Sequence, residues 1–305
     1  MRILMAGASG FLGTRLAARL TDAGHDITRL VRRPAQKPDE ATWRPGQNQL
    51  DPALVAGADA VINLAGASIG HWRWTPGYKR LLRSSRVDTT ATIAGVIKQL
   101  PAEDRPRTLL QASAVGWYGD TGDRTVTEEA PAGRTFLADL CRVWEAAARP
   151  AEDAGTRVVL LRTAPAISRE GSLIKPLLLP FKFGAGARIG SGRQWMAWIA
   201  VDDWLTAAEF LLDRDSIAGP VNLVAAEPCT NAEFTKAFGR AVHRPAVLSV
   251  PTVVLDVALG ELAGEAKQSQ RVRAGVLERA GFEWAYPDIE SAMFAALGRE
   301  PAQPR

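Results

Sequence analysis

The sequence is poor in the side chains that most often carry catalysis. Its 305 residues include three histidines, three tyrosines and two cysteines. His25, His71 and His243 are scattered, with no triad or metal-ligand spacing, so no metal site is expected. Cys141 and Cys229 form no disulfide framework. No apolar run reaches the roughly 18 residues that cross a bilayer. The most apolar stretch, LIKPLLLPFKFG at 173–184, is broken by two lysines and two prolines. No charged-then-apolar leader precedes the first apolar run. The expected compartment is therefore the cytoplasm, with no membrane partner. The net charge is only +4. Arginine and aromatics mix at WRPG (43–46) and HWRW (71–74), but no basic stripe or known motif accompanies them. Nucleic acid is not an expected partner.

What is present is a regular alternation. RILMA (2–6), DITRLVRR (26–33), AVINLA (60–65), TLLQAS (108–113) and RVVLLR (157–162) read as strands. Helical patterns lie between them: Leu12, Leu16 and Leu20 repeat at four, and a long one spans 78–100. Strands alternating with helices predict an α/β fold, a Rossmann-type doubly wound parallel sheet. The pattern loosens after about residue 165. The division predicted is a nucleotide-binding domain over 1–165, with parts of 195–225 returning to the sheet. A smaller interleaved C-terminal substrate lobe takes 166–305. Within it, WIAV (198–201) reads as a strand, 202–212 as a helix, and Thr230 with Glu233 as a capping box. From Val250 the pattern is helical.

The strongest motif is AGASGFLGTRL, with Gly7, Gly10 and Gly13 spaced G-x-x-G-x-x-G between a strand and a helix. Gly7 permits the tight turn, Gly10 lets backbone approach a pyrophosphate, and Gly13 lets the helix pack on the strand. The helix N-terminus offers N–H groups and partial positive charge to phosphate. Ser9 adds a hydroxyl. The second strand ends in Arg32 and Arg33, where an NAD-binding domain usually has an acid for the ribose hydroxyl. Arginine there accommodates a 2′-phosphate, so the cofactor expected is NADP(H).

Further stretches carry a family likeness: NLAG (63–66), RWTPGYKRLLRSSRVDTT, SAVGWYGDTGDRTVTEEAP, FLADLCRVWEAAA, GSGRQWMAWIAVDDW, VNLVAAEPCTNAEF and VPTVVLDVALGE with RAGFEWAYP. With the glycine loop, and in this order, they span nearly the whole chain. It resembles the atypical epimerase-like branch of the extended short-chain dehydrogenase/reductases. The resemblance implies that Gly7, Ser9, Gly10, Phe11, Leu12 and Gly13 line the diphosphate. It places Arg32 on the 2′-phosphate with Arg33 helping, and Leu64, Ala65 and Gly66 under adenine and ribose. Asn63 serves either the cofactor or a buried tie between strands. The branch habit also allows a homodimer.

The same resemblance exposes a loss. Relatives carry a Tyr-x-x-x-Lys pair on the helix after the SAVGWYGD strand end, where the tyrosine moves a proton and the lysine depresses its pKa. The register places Leu137 and Cys141 there. Ala114 stands where a serine or threonine usually assists, and Ala200 where a histidine is frequent. The catalytic candidates left are Ser113 and Tyr118. Ser113 alternates to the opposite face from Ala114 unless the strand has already ended. Cys141, on an apolar face, reads as an inert buried thiol, and Glu128 and Glu129 as a solvated loop. Arg193, Trp195 and Trp198 are expected to line a small-molecule substrate, anionic or sugar-like. Plain core is the alternative for the tryptophans. Asp202 and Asp203 read as caps of the helix after WIAV. Two functions follow: an NADP(H)-dependent oxidoreductase or epimerase-like enzyme, or a non-catalytic NADP(H)-binding redox sensor or scaffold.

Overall fold

A computed structural model describes residues 1–298 except 48, 72, 73 and 255–259. Trp72 and Arg73 of the HWRW stretch, and most of VPTVVLDVALGE, therefore lie outside the described residues. Seven parallel strands form the central sheet: β1 (Arg2–Ala6), β2 (Asp26–Val31), β3 (Glu40–Thr42), β4 (Ala60–Asn63), β5 (Thr108–Ala114), β6 (Arg157–Thr163) and β7 (Gly219–Leu223). Their order is β7-β6-β5-β4-β1-β2-β3. The direction of winding reverses between β1 and β4, and ligands of such sheets lie in the crevice at that reversal.

Alternation along the strands explains the two cores. Ile3 and Met5 of β1 join Ile62 and Leu110 on one face, while Leu4 and Ala6 join Val61 and Leu109 on the other. The first face packs on α1 (Phe11–Asp22) and α4 (Val201–Leu212). The second packs on α2 (Pro76–Gln99), through Ile93, Ala94 and Ile97. Each fully buried isoleucine, leucine, valine or methionine among them contributes about 1.5–3 kcal/mol. Leu16, Ala17 and Leu20 form the buried stripe of α1, and Gly24 at φ +84° lets the chain leave it. Thr75 caps α2, its hydroxyl accepting from the Tyr78 N–H at 3.1 Å, with Pro76 in the first turn.

After β6 the chain leaves the sheet, builds a lobe, and returns through α4 to β7. The lobe has its own core, in which Trp198, Phe181, Phe234, Phe238 and Met293 meet. The capping box expected at Thr230 and Glu233 opens α5 (Asn231–Ala241). Three local readings change. The second strand stops at Val31, so Arg32 and Arg33 stand just past its end. WIAV contributes only the two-residue strand Ile199–Ala200. Asp203 does not cap α4. It accepts from Ala285 N at 2.7 Å and Tyr286 N at 3.1 Å, pinning a distant segment, and burial pushes its carboxyl pKa up.

Candidate functional site

The glycine loop is shaped by close backbone contact. Gly7 sits at φ +80°, and a Cβ there would lie 2.5 Å from the Leu64 carbonyl carbon. A Cβ on Gly13 would lie 2.1 Å from the Gly7 oxygen. The turn between β1 and α1, packed against the chain leaving β4, and the start of α1 thus have no room for side chains at these positions. Gly10 is the N-cap of α1, and its N–H donates to Gly7 O at 3.0 Å. No side chain caps this helix and no acid stands in its first turn. Its N–H groups are left to an anion from outside.

The loop opens onto a cleft of about 1150 Å³ along the C-terminal strand ends. Gly7, Ser9, Gly10, Arg32, Arg33, Leu64, Ala65 and Gly66 line it together. Phe11, Leu12 and Gly13 stand behind this lining. The Phe11 ring lies 4.2 Å beneath the Arg15 guanidinium, Leu12 packs on the core, and Gly13 is buried. Asn63 is a tie: its amide donates to Gln111 Oε1 at 2.9 Å and Thr90 Oγ1 at 3.2 Å, and its oxygen accepts from Ala65 N. It holds β4 to β5 and shapes the loop that borders the cleft.

The two arginines differ. Arg33 is clamped to Glu40 through hydrogen bonds of 2.7 and 2.8 Å. Those bonds hold the Glu40 carboxyl down to about 2, helped by the Gln36 N–H. Arg32 is exposed and, among the described residues, makes no hydrogen bond or ion pair. Sequence reasoning missed Arg44 and Gln47, in the turn after β3, and Ser84 and Asp88 of α2, which line the same cleft. Arg44 stood in plain view within WRPG, but only β3, too short to be read as a strand, carries that turn to the cleft.

The β5–β6 side is sealed. Ser113 and Tyr118 are each 3% exposed. The strand β5 runs on to Ala114, so alternation turns Ser113 inward, where its hydroxyl donates to Glu145 Oε1 at 2.6 Å. Arg162 binds the same carboxylate at 2.9 and 3.0 Å and donates to the Tyr118 hydroxyl at 3.1 Å. Tyr118 in turn donates to Asn222 Oδ1 at 2.7 Å. Burial pushes the Tyr118 phenol up to about 12, only partly offset by Arg162. Both hydroxyls proposed from the sequence for proton transfer are thus committed inside the core. Glu128 is not in a solvated loop either. It is 6% exposed, and its Oε1 accepts from the N–H groups of Asn222 and Val276.

Leu137 and Cys141 lie on α3 (Phe136–Ala146), beside the strand end at Ala114, whose carbonyl faces the thiol at 3.6 Å. Desolvation pushes that thiol up to about 12, which makes it a poor nucleophile. Trp198 is 1% exposed and belongs to the lobe core, so it offers no face to a substrate. Trp195 is half-buried. Its Nε1 donates to Asp123 Oδ1 at 3.2 Å, and Arg271 stacks 4.2 Å above its ring. Arg193 is exposed. Neither Arg193 nor Trp195 lines the cleft at the glycine loop.

A parallel sheet that reverses at β1 and β4, with a glycine turn and an open helix N-terminus at that point, defines a Rossmann-type dinucleotide fold. The profile of the NAD dependent epimerase/dehydratase family matches residues 3–224, and that of a domain of unknown function, DUF1731, matches 250–296. The chain belongs to the NAD dependent epimerase/dehydratase family. It is 43% identical to Epimerase family protein Mb2239 of Mycobacterium bovis over 298 residues, covering 97% of this chain and 98% of that one. It is 34% identical to mouse Epimerase family protein SDR39U1, with coverage of 96% and 98%. The crystal structure of human SDR39U1 (isoform 2) with NADPH superposes with a TM-score of 0.87, at 31% identity, covering 98% of this chain and 99% of that one. UDP-N-acetylglucosamine 4-epimerase from Bacillus cereus shares the fold, with a TM-score of 0.74 at 16% identity over 97% of this chain and 98% of that one.

Proposed function

We propose that this chain is an NADP(H)-binding, epimerase-like oxidoreductase acting on a small polar substrate. The observation that carries the reading is Arg32: a guanidinium without a partner among the described residues, just past the end of β2, on the cleft that the glycine loop opens. The residues present fit the cofactor. Gly7 and Gly13 leave no room for side chains, so the pyrophosphate meets backbone N–H groups. Arg32 and Arg44 bring positive charge to the adenosine side, where a 2′-phosphate would lie. Arg33, neutralised by Glu40, supports the turn rather than the ligand. That human SDR39U1 is solved with NADPH agrees with this reading. Bound NADP(H) supplies the hydride.

Neither Ser113 nor Tyr118 carries the proton, because both hydroxyls are held in the buried network. The same sealing favours one second reading, an NADP(H)-binding sensor without turnover. The retained lobe favours the enzyme. The test is a titration followed by nicotinamide fluorescence, with NADPH and NADH against wild type and Arg32→Asp. Tighter NADPH binding that the substitution abolishes supports the cofactor reading, and equal binding of the two nucleotides contradicts it. NADPH oxidation that depends on an added carbonyl compound then separates enzyme from sensor.

A further inference from the structure

Among the described residues, the large apolar side chains most open to solvent belong to the lobe and not to the sheet. Phe183 is 79% exposed and Val247 80%, and Leu179 and Leu248 are each more than half exposed. Two connections bring them onto one surface. The helix Ile174–Lys182 buries Ile174 and Phe181. It turns Lys175, Leu179 and Lys182 outward, followed by Phe183, at the i, i+4, i+7, i+8 spacing of a single helix face. At the end of that helix, Arg244 donates from Nε to the Lys182 carbonyl at 3.1 Å. Beyond the turn 184–186, Ala187 pairs in register with Leu248, which brings Val247 and Leu248 to the side of Phe183.

The charge around this surface has one sign. No acidic residue occurs in 171–201 or in 234–254. The first stretch carries Lys175, Lys182, Arg188 and Arg193, and the second Lys236, Arg240 and Arg244. Arg240 is paired with Glu290. Arg244 donates only to the backbone carbonyls of Lys182 and His243. Among the described residues, no carboxylate pairs with Lys175, Lys182 or Arg244. An exposed apolar patch marks a contact surface, and its rim of cations calls for an anionic occupant.

We propose that the face made by Leu179, Phe183, Val247 and Leu248, with Lys175, Lys182 and Arg244, docks this protein on an anionic bilayer surface. Apolar tips that protrude from a helix enter the headgroup region, and the cations beside them meet lipid phosphates. A second copy of the chain fits less well, because a two-fold contact sets a patch against itself and would bring these cations together. The expectation of no membrane partner rested on the lack of a spanning run, and a surface contact needs none. None of these seven residues lines the nucleotide cleft, so the docking is independent of the NADP(H) reading.

The test is co-sedimentation of the full chain with vesicles, of phosphatidylcholine alone or mixed with phosphatidylglycerol, at low and high salt. Binding to the mixed vesicles is expected to be at least about tenfold tighter than to phosphatidylcholine, and to weaken with salt. Leu179→Ser with Phe183→Ser, and separately Lys175→Glu with Lys182→Glu, should each weaken it at least about tenfold. All four positions are exposed, so the melting temperature should hold in both variants. No binding to either vesicle, equal binding to both, or binding that the two variants retain would each overturn the proposal. Wild type that ignores vesicles but elutes as a dimer, which the serine variant splits, would assign the face to a second copy and overturn it too.

Discussion

Arg162 meets Glu145 through two hydrogen bonds of 2.9 and 3.0 Å, with 3% and 7% of the two side chains exposed. The pair joins β6 to α3, and Ser113 and Tyr118 hang from it. Its partners are 17 residues apart in sequence, on a helix and the next strand of the sheet along the chain.

Removing one partner leaves the other charge buried. Arg162→Met is expected to cost about 3–5 kcal/mol in urea unfolding. Adding Glu145→Leu should recover much of that loss, because no uncompensated carboxylate then remains. Equal and additive losses would show that the two residues do not act as a pair.

Ser113 shows where sequence reading stops. That it ends a buried strand was legible, and so was its dependence on where the strand ends. One further strand residue, Ala114, turns its hydroxyl away from the cleft and onto Glu145. The glycine loop was legible because its constraint is local: three glycines fix a turn and a helix start. Arg44 was not, since it reaches its place through long-range packing. Trp198 was ambiguous by composition, and the apolar lobe around it makes it core. Arg33 was read as a ligand partner; its clamp, Glu40, lies seven residues on, at the start of an edge strand the sequence did not announce.

The Glu40–Arg33 clamp makes a pH prediction. The folded Glu40 carboxyl is lowered from its ordinary 4.5 to about 2, chiefly by the Arg33 hydrogen bonds. A depressed carboxylate stabilises the fold fully above its unfolded pKa and loses that contribution as pH falls through the folded value. Wild type should therefore exceed Glu40→Gln in stability above pH 4.5, and the gap should close between 4.5 and 2. Thermal unfolding across that range measures it. A gap independent of pH would contradict the ion-pair account.

Both thiols are buried, and desolvation pushes each up to about 12. Thiolate is the reactive form. Native protein near neutral pH should take up almost no iodoacetamide at Cys141 or Cys229, and unfolded protein should label at both. Rapid native labelling of Cys141 would reopen it as a nucleophile.

Gly13→Ala places a Cβ 2.1 Å from the Gly7 oxygen, against backbone that cannot yield cheaply. The loop must shift. NADPH affinity is expected to fall more than tenfold, with a stability cost of about 1–3 kcal/mol. Gly24→Ala, where no atom lies within 4 Å but φ is +84°, should cost stability and spare the nucleotide. Titration and urea unfolding of both variants separate loop geometry from general destabilisation.

The central claim is that the cleft between β2 and α2 takes NADP(H), with the 2′-phosphate on Arg32 and the pyrophosphate on the glycine loop. The most direct measurement is a crystal structure of the chain grown with NADPH. The account predicts the 2′-phosphate within hydrogen-bond distance of the Arg32 guanidinium, and pyrophosphate oxygens against the N–H groups at the start of α1. A cleft without nucleotide at saturating NADPH, or a 2′-phosphate turned away from Arg32, would contradict it.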